Sequence, residues 1–287
     1  MSTTPTRILV TGSTGNIGRS LLAELGSKVT IRAFARNAGA AGLREGIEIV
    51  DGDLGDVTAF EAALEDVDAV FLLWPFLPVA QAKPLLEMIA RHDLPLVYLS
   101  AASAGDPAES AANPITLSHA QIEQLIEATV SDWAIVRPTA FATNTLLYWA
   151  GQIQAADAIQ WPLPATQLAV IHEGDIAAVI AKVLLTGSYG GQKIVITGPA
   201  TLTPVEQLEA ISQAVGRPLV FEETSVDASR AQMMSWGLPE NIADGVLGYW
   251  GRRVSDPEPV TDIVETVTGR PARSFQDWAI ENAGKFG

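Results

Sequence analysis

The chain has 287 residues, of which 48% are apolar, and it carries a formal net charge of −15. That length accommodates one large α/β domain, or such a domain with a small appendage, and the lack of a basic stripe argues against a nucleic-acid partner. Because there is no cysteine and the three histidines lack metal-ligand spacing, the sequence predicts neither disulfides nor a metal site.

Strand-like and helix-like patterns alternate along the first half of the chain. Runs of β-branched and other apolar residues predict strands at 7–11, 29–35, 47–50, 69–73, 96–100 and 133–137. Apolar residues at helical spacing predict helices at 16–25, near Leu43, and at 57–64, 79–90 and 117–128. Strict alternation of this kind gives parallel strands joined by right-handed crossovers, so the pattern predicts a Rossmann-type, doubly wound α/β sheet.

The pattern loosens after Pro138. Trp161–Pro164 is predicted to be rigid and extended, because each proline disfavours helix at the residue before it. Further on, we expect a helix over 175–185, a strand over 193–197, and helices over 204–215 and 275–282 that Thr203 and Ser274 cap. The sequence therefore predicts a sheet core over residues 1–150 and a smaller, mostly helical lobe over 151–287, interleaved with the core rather than folded independently.

A glycine-rich turn between the first strand and the first helix is the most informative motif. Its spacing, Gly-x-x-Gly-x-x-Gly, allows a tight turn, a close approach of a pyrophosphate to the backbone, and close packing of helix on sheet. The free N–H groups at the helix N-terminus face the phosphates. The motif thus predicts an NAD(P)-binding core that holds the dinucleotide with Gly12, Ser13, Thr14, Gly15, Asn16, Ile17 and Gly18; a plain tight turn is the weaker alternative.

The residues at the end of the second strand bear on the choice of cofactor. No acidic residue is present there to accept hydrogen bonds from a ribose 2′-hydroxyl, whereas Arg32 and Arg36 are. Because a guanidinium suits a phosphate, the sequence favours NADP(H), with NAD(H) as a possible cofactor. The alternative is that both arginines are solvated surface residues.

Two residues after the third strand are candidates for contact with the adenine. Asp53 is placed to accept a hydrogen bond from the adenine amino group, and Leu54 to pack on its ring. The alternative for Asp53 is to cap the next helix, for which Asp56 is better placed.

Several segments carry a family resemblance, in the same order along the chain. They include VTGSTGNIGRSLL (10–22), DAVFLLWP (68–75), HAQIEQLIEATVSDWAIVRPTAFATN (119–144) and HEGDIAAVIAKVL (172–184). With these motifs the chain resembles the NmrA-like branch of the atypical short-chain dehydrogenases/reductases. The resemblance implies either an NAD(P)H-dependent reductase of quinones, dyes and other aromatic compounds, or a dinucleotide sensor that regulates a protein partner without turnover.

The active-site helix departs from the pattern of typical short-chain dehydrogenases, which carry Tyr-x-x-x-Lys there. The helix reads Ser118-His119-Ala120-Gln121-Ile122-Glu123, and the literal match from Tyr189 to Lys193 lies in a turn that enters a strand, so we interpret it as accidental. His119 then becomes the candidate catalytic group, as a proton donor to the reduced substrate or a ligand of the ribose. The alternative is a surface histidine paired with Glu123.

The ends of the strands predict the rest of the site. Leu73, Trp74 and Ser100 end the fourth and fifth strands at the edge where a cofactor binds. Nearby aromatic and polar residues predict a substrate pocket for a flat ring, formed by Phe76, Phe141 and Asn144. Core packing is the alternative for Trp74 and Trp149, and Arg137 is expected to pair with a carboxylate.

Taken together, the residues and the resemblance predict an NADPH-dependent reductase of a small hydrophobic acceptor, aromatic or quinone-like. The alternative is a non-catalytic redox sensor, and an epimerase or dehydratase of nucleotide sugars ranks last. Residues 1–12 lack the features of a signal peptide, and the apolar runs are strand-sized. We therefore expect a cytoplasmic protein, monomeric or homodimeric, with a small-molecule substrate and no membrane partner.

Overall fold

The computed structural model describes residues 5–75 and 78–287 of the chain. These residues pack into two compact units, each built from three separate segments. Unit 1 comprises the described residues up to Ala102 together with Ser118–Arg137 and Glu173–Val195, and unit 2 comprises Ser103–Leu117, Pro138–His172 and Ile196–Gly287. The division into a core and a lobe at residue 150 stays a prediction.

Seven strands form one parallel sheet in the order β3-β2-β1-β4-β5-β6-β8. They are β1 (Arg7–Thr11), β2 (Thr30–Ala35), β3 (Glu48–Asp51), β4 (Ala69–Leu73), β5 (Leu96–Leu99), β6 (Trp133–Pro138) and β8 (Gln192–Ile196). The order of the first six is that of the dinucleotide-binding fold. A second, two-stranded parallel sheet pairs β7 (Ala158–Trp161) with β9 (Val220–Glu223). The predicted doubly wound sheet is confirmed.

Twelve α-helices are present in the described part of the chain. Five carry residues of unit 1 or its crossovers: α1 (Asn16–Leu25), α2 (Val57–Ala63), α3 (Ala82–Arg91), α5 (Pro114–Thr129) and α7 (Glu173–Thr186). The others belong to unit 2: α4 (Pro107–Ala112), α6 (Asn144–Ala156), α8 (Pro204–Val215), α9 (Val226–Ser235), α10 (Glu240–Arg252), α11 (Ile263–Thr268) and α12 (Phe275–Asn282). None of the described helices is both long and apolar enough to cross a bilayer.

Each unit has its own apolar core. In unit 1, residues of β1, β2 and β5 pack with α2, α3 and α5, and Phe34, Phe60 and Tyr98 are fully buried there. In unit 2, tryptophans dominate the core, with Trp278 fully enclosed and Trp149 and Trp161 nearly so. The burial of these large side chains is the main apolar contribution to the stability of each unit.

The predicted caps of three helices are confirmed. Asp56 accepts hydrogen bonds from the second and third residues of α2. Thr203 and Ser274 each form a capping box, with Glu206 and Asp277 respectively. These side chains satisfy N–H groups that the helices cannot pair internally.

Two local predictions are wrong. No helix forms near Leu43, because Gly42 and Gly46 adopt φ angles of 62° and 87°, in the left-handed region that interrupts a helix. Trp161–Pro164 is not extended throughout, because Leu163 has a φ of 53° and its carbonyl oxygen accepts the N–H of Thr166 at 3.0 Å. The chain therefore turns between the two prolines.

Candidate functional site

The glycine-rich turn joins β1 to α1 in a conformation that requires glycine at two positions. Gly12 has a φ of 62°, and its N–H donates to the carbonyl oxygen of Phe34 at 3.1 Å. A Cβ atom on Gly18 would lie 2.2 Å from the carbonyl oxygen of Gly12, so a side chain there would force turn and helix apart. The fold itself therefore accounts for these two glycines.

At Gly15, unlike Gly12 and Gly18, the fold does not require the absence of a side chain. Its backbone has a φ of −80° and a ψ of 175°, which any residue adopts, and a Cβ atom would meet only the carbonyl oxygen of Gly12, at 3.4 Å. Gly15 is the N-cap of α1, where no side chain caps the helix, and it is exposed together with Asn16. The fold tolerates a side chain here, whereas an anion approaching the amides of α1 needs the space.

The buried side of the turn contains an unpaired hydroxyl group. Ser13 is fully buried, and its Oγ has no hydrogen-bond partner among the described residues. Ile17 is on the buried face of α1, and the carbonyl oxygen of the half-buried Thr14 accepts the Nε–H of Arg19 at 3.0 Å. A buried hydroxyl without a partner beside an uncapped helix N-terminus fits a bound anion. Residues 12–18 thus have the shape and chemistry that a pyrophosphate needs.

The two arginines of the second strand differ in their surroundings. Arg32 is mostly buried and donates to Glu48, at 2.9 Å, and to the carbonyl oxygens of Ala63 and Glu65. The suggestion that Arg32 binds a phosphate is therefore wrong, because its guanidinium is already paired. Arg36 has 83% of its side chain exposed, 4.0 Å from Asp53. The contact of Arg36 with a ribose phosphate stays a prediction.

The predicted adenine residues follow β3, which pairs with β2, the strand that Arg36 follows. Asp53 is exposed, and its Oδ1 accepts the N–H of Gly55 at 2.8 Å. Leu54 is buried in the core of unit 1. The contacts of Asp53 and Leu54 with adenine stay predictions.

The end of β4 lies against the glycine turn. A Cβ atom on Gly12 would be 3.5 Å from the side chain of Leu73, and the N–H of Leu73 donates to Thr11 Oγ1 at 2.8 Å. Trp74 is 5% exposed and packs in the core of unit 1. Phe76 lies outside the described residues. The structure thus brings Leu73 to the turn and buries Trp74.

A tyrosine from the sheet meets the predicted catalytic histidine. The hydroxyl of Tyr98 on β5 lies 2.8 Å from Nδ1 of His119 on α5. Tyr98 is fully buried and His119 is half-buried. The interpretation of His119 as a surface histidine paired with Glu123 is wrong, because its hydrogen-bond partner is Tyr98. Sequence reasoning missed Tyr98, since a tyrosine in an apolar strand looks like any other core residue.

Glu123 lies one helical turn after His119 and is held by three side chains. It is 1% exposed, and both of its oxygens accept hydrogen bonds from Arg137 on β6. Ser100 Oγ donates to the same carboxylate at 2.5 Å, and Lys193 Nζ lies 3.5 Å away. The predicted pairing of Arg137 with a carboxylate is confirmed. Ser100 is buried, and its hydroxyl is directed to Glu123.

Burial and charge set the protonation states in this region. Burial lowers the pKa of His119 to about 4, although the charge of Glu123 opposes the shift. Burial and the same charge raise the pKa of the Tyr98 phenol. Burial alone would raise the pKa of Glu123, but hydrogen bonds from Arg137 and Ser100 and the charges of Arg137 and Lys193 hold it below its ordinary value. At neutral pH, His119 and Tyr98 are therefore neutral and Glu123 is charged.

The other two histidines, and the residues of the Tyr189–Lys193 match, occupy helix ends, ion pairs and a turn. His92 ends α3 as its C-cap, and His172, directly before α7, bonds Glu281 at 3.1 Å. Lys193 bridges Glu123 and Glu127, while Tyr189 lies in a turn with a φ of 70°. Nothing in these positions resembles a catalytic tyrosine and lysine on one helix face.

Unit 2 contains two predicted substrate residues and an aromatic cluster. Phe141 pairs with Ile171, and Asn144 begins α6. One turn later Tyr148 stacks on Trp236, with ring centroids 6.0 Å apart. Around Tyr148 lie Trp161 at 5.3 Å and Trp250 at 6.1 Å. We call Tyr148, Trp161, Trp236 and Trp250 the aromatic cluster.

Trp236 distinguishes this cluster from ordinary core packing. It is 40% exposed, whereas Trp161 and Trp250 are buried. Trp149 packs edge-on against Trp161 at 5.5 Å and is 3% exposed, so the core reading of Trp149 is confirmed. The sequence did not indicate the cluster, because its members come from four distant positions.

Residues 12–186, more than half of the chain, match a family described as NAD(P)H-binding. The chain belongs to this family of NAD(P)H-binding proteins. The glycine turn begins the matched region, and α7 ends it. The predicted resemblance of the chain to NAD(P)H-binding, NmrA-like reductases is confirmed.

Similar proteins extend over nearly the whole chain. The (4-alkanoyl-5-oxo-2,5-dihydrofuran-3-yl)methyl phosphate reductase of Streptomyces griseus is 35% identical over 285 residues, which is 97% of this chain and 99% of that protein. The NAD(P)H azoreductase of Xenophilus azovorans is 30% identical, over 98% of this chain and 99% of that protein.

A solved structure shares the fold at lower sequence identity. The NADPH-dependent quinone oxidoreductase of Escherichia coli, crystallised with NADPH, superposes with a TM-score of 0.81 and 19% identity. The similarity covers 96% of this chain and 99% of that one. It establishes a common architecture for the two chains.

Proposed function

We propose that this protein is an NADPH-dependent reductase that transfers hydride to a small, hydrophobic, conjugated acceptor. The observation that carries the proposal is the glycine turn. There the fold does not require Gly15 to lack a side chain, and Ser13 Oγ is buried without a partner among the described residues. Both features suit a pyrophosphate on the N-terminus of α1. The family match and the reductase names of the relatives support the same activity.

Arg36 supports NADPH over NADH. Its guanidinium is exposed, follows β2 directly, and has only a loose contact with Asp53 at 4.0 Å. A 2′-phosphate would give it a stronger partner, because guanidinium–phosphate bonds are charge-assisted on both sides. The remaining cofactor contacts that we propose are those of residues 12–18, Asp53, Leu54, Leu73, Trp74 and Ser100.

When bound, NADPH supplies the hydride, and the protein then has to complete the reduction. Reduction of a quinone or an enone consumes one hydride and one proton, and negative charge develops on the acceptor oxygen. We assign His119 to this oxygen, as the half-buried polar group on the helix that holds the active site in related folds. Ser100 and Arg137 both donate hydrogen bonds to Glu123 and so fix α5 on the sheet.

The acceptor class follows from the rings of unit 2 and from the relatives. Phe141 and Asn144 with the partly exposed Trp236 offer apolar stacking surface and a polar group. The relatives' names refer to an azo compound, a quinone, and an acyl dihydrofuranone phosphate. All are flat and conjugated, so hydride addition needs less acid catalysis than with a simple ketone. Phe76 stays a proposed member of the pocket.

Cofactor oxidation with a panel of acceptors tests the proposal. The panel contains quinones, azo dyes and an alkanoyl dihydrofuranone phosphate, with unconjugated ketones as the matched negative set. We expect turnover of at least one conjugated acceptor with NADPH and none of the ketones. Tight NADPH binding without turnover of any acceptor would instead favour a dinucleotide sensor.

A further inference from the structure

The Tyr98–His119 contact joins a fully enclosed phenol to a half-buried imidazole. Tyr98 Oη and His119 Nδ1 are 2.8 Å apart, and the two rings are tilted by 49° with centroids 6.1 Å apart. The rings therefore do not stack, and the hydrogen bond is the specific interaction. It links β5 to α5 one turn before Glu123.

The direction of this hydrogen bond follows from the number of available partners. Within the described part of the chain, Tyr98 Oη has no hydrogen-bond partner other than His119. If Nδ1 carried the proton and donated, the phenolic proton of a fully buried side chain would have no acceptor. The phenol is neutral, because burial raises its pKa. Tyr98 therefore donates, and Nδ1 of His119 accepts.

This direction determines the tautomer of the imidazole. A neutral imidazole has one N–H, so an accepting Nδ1 places the proton on Nε2. Nε2 has no hydrogen-bond partner among the described residues. Burial lowers the pKa of His119 to about 4, so the ring is not protonated on both nitrogens at neutral pH. His119 thus offers one fixed donor.

We propose that Tyr98 is a positioning residue that holds His119 in its Nε2–H tautomer, so that His119 meets the reduced acceptor as a neutral hydrogen-bond donor. The proposal rests on the proposed function for the position of His119 at the acceptor. The N–H stabilises the negative charge that forms on the acceptor oxygen. A neutral imidazole is too weak an acid to give up this proton, so the proton that completes the reduction comes from water.

Nitrogen NMR of isotope-labelled histidine tests the tautomer directly. The chain has only three histidines, so His119→Gln identifies the His119 signals. In the wild type we expect the Nε2–H pattern, unchanged from neutral pH to about pH 5, because the pKa of His119 lies at about 4. In Tyr98→Phe we expect a mixture of tautomers, with an intact fold. The matched control is Tyr189→Phe, which removes a hydroxyl from a turn of the same unit.

Kinetics test the role of the tautomer. In Tyr98→Phe we expect kcat for the best acceptor to fall by about three- to tenfold, the effect of one neutral hydrogen bond. NADPH affinity and the KM of the acceptor should stay as in the wild type, and Tyr189→Phe should match the wild type throughout.

The two measurements separate this inference from the proposed function. An Nδ1–H signal in the wild type, or the same tautomer in Tyr98→Phe, overturns the inference whatever the turnover. An active wild type with an equally active Tyr98→Phe overturns the positioning role. If the wild type turns over no acceptor, the proposed function fails, while the NMR result still decides whether Tyr98 sets the tautomer.

Discussion

Arg137 binds both oxygens of the buried Glu123 carboxylate, with Nε 2.8 Å from Oε1 and Nη2 2.5 Å from Oε2. The two side chains are 12% and 2% exposed. The pair therefore fastens α5 to β6, the strand next to the edge strand β8, through a buried charged contact. Since α5 also carries His119, the stability of the pair and the position of the candidate catalytic group are linked.

Removing the Glu123 carboxylate should destabilise unit 1 strongly. Glu123→Ala leaves the mostly buried Arg137 without its partner, so we expect a loss of about 3–5 kcal/mol in the free energy of unfolding. Chemical denaturation monitored by tryptophan fluorescence measures it. The matched control is Glu127→Ala on the same helix, which removes a partly exposed partner of Lys193 and should cost about 1 kcal/mol or less. Equal effects of the two substitutions would contradict the role of burial.

The same carboxylate should make stability depend on pH. The folded pKa of Glu123 lies below its ordinary value of 4.5, so its stabilising effect is full above that pH and is lost as the pH falls through the folded pKa. Unfolding free energies of the wild type and of Glu123→Gln, measured from neutral to acidic pH, test the sign. The difference between them should shrink below about pH 4.5. A difference that is constant with pH would argue against a charged Glu123.

Two alanine substitutions in the glycine turn should have different effects. Gly18→Ala places a Cβ atom 2.2 Å from a carbonyl oxygen, so we expect a loss of about 1–3 kcal/mol of stability together with loss of NADPH binding. Gly15→Ala meets nothing closer than 3.4 Å, so stability should change by about 1 kcal/mol or less. NADPH binding should nevertheless weaken at least about tenfold, because the methyl group occupies the space of the pyrophosphate.

Thermal unfolding and titration calorimetry on both variants separate these effects. Full NADPH affinity in a stably folded Gly15→Ala would show that no phosphate approaches that position.

Arg36 should discriminate between the two nicotinamide dinucleotides. Arg36→Ala is expected to raise the Kd for NADPH by about 10- to 100-fold, since a charge-assisted contact is lost, and to leave the Kd for NADH nearly unchanged. Arg91→Ala is the matched control, because it removes another mostly exposed positive charge, from α3. A parallel loss for NADPH and NADH would mean that Arg36 does not meet the 2′-phosphate.

Trp236 should contribute to acceptor binding rather than to cofactor binding. Trp236→Ala removes the exposed member of the aromatic cluster, so the KM for aromatic acceptors should rise by about three- to tenfold, with NADPH affinity unchanged. Met234→Ala, which removes a similarly exposed apolar side chain from α9, serves as the control. Identical KM values in the two variants would leave Trp236 with a purely structural role.

The sheet could be predicted from the sequence because its signals are local. β1, β4 and β5 are short apolar runs, and α1 and α3 have one apolar face each, so every element carries its own pattern. The loop around Leu43 has helix-forming residues, but the left-handed glycines on either side of it override that preference. The strands β7 and β9 were missed, since each mixes apolar and polar residues over only four positions, whereas the equally short β5 is apolar throughout.

The candidate site was only partly predictable, for the same reason. The glycine turn is contiguous and could be identified from its spacing. Tyr98 and His119 are 21 positions apart, and only the register between β5 and α5 brings their polar atoms together. Arg32 and Arg36 look alike in sequence, and only the position of Glu48 on the neighbouring strand shows that the first is already paired.

The packing of α1 against α7 has a consequence for how the nucleotide site arises during synthesis. α1 follows the glycine turn near the start of the chain, whereas α7 ends at Thr186, and both belong to unit 1. A nascent chain that stops at residue 150 has made every glycine of the motif and still lacks the helix that covers α1. The packing of α1 against α7 therefore forms only after about two thirds of the polypeptide has been synthesised, and a fragment that ends at residue 150 lacks it.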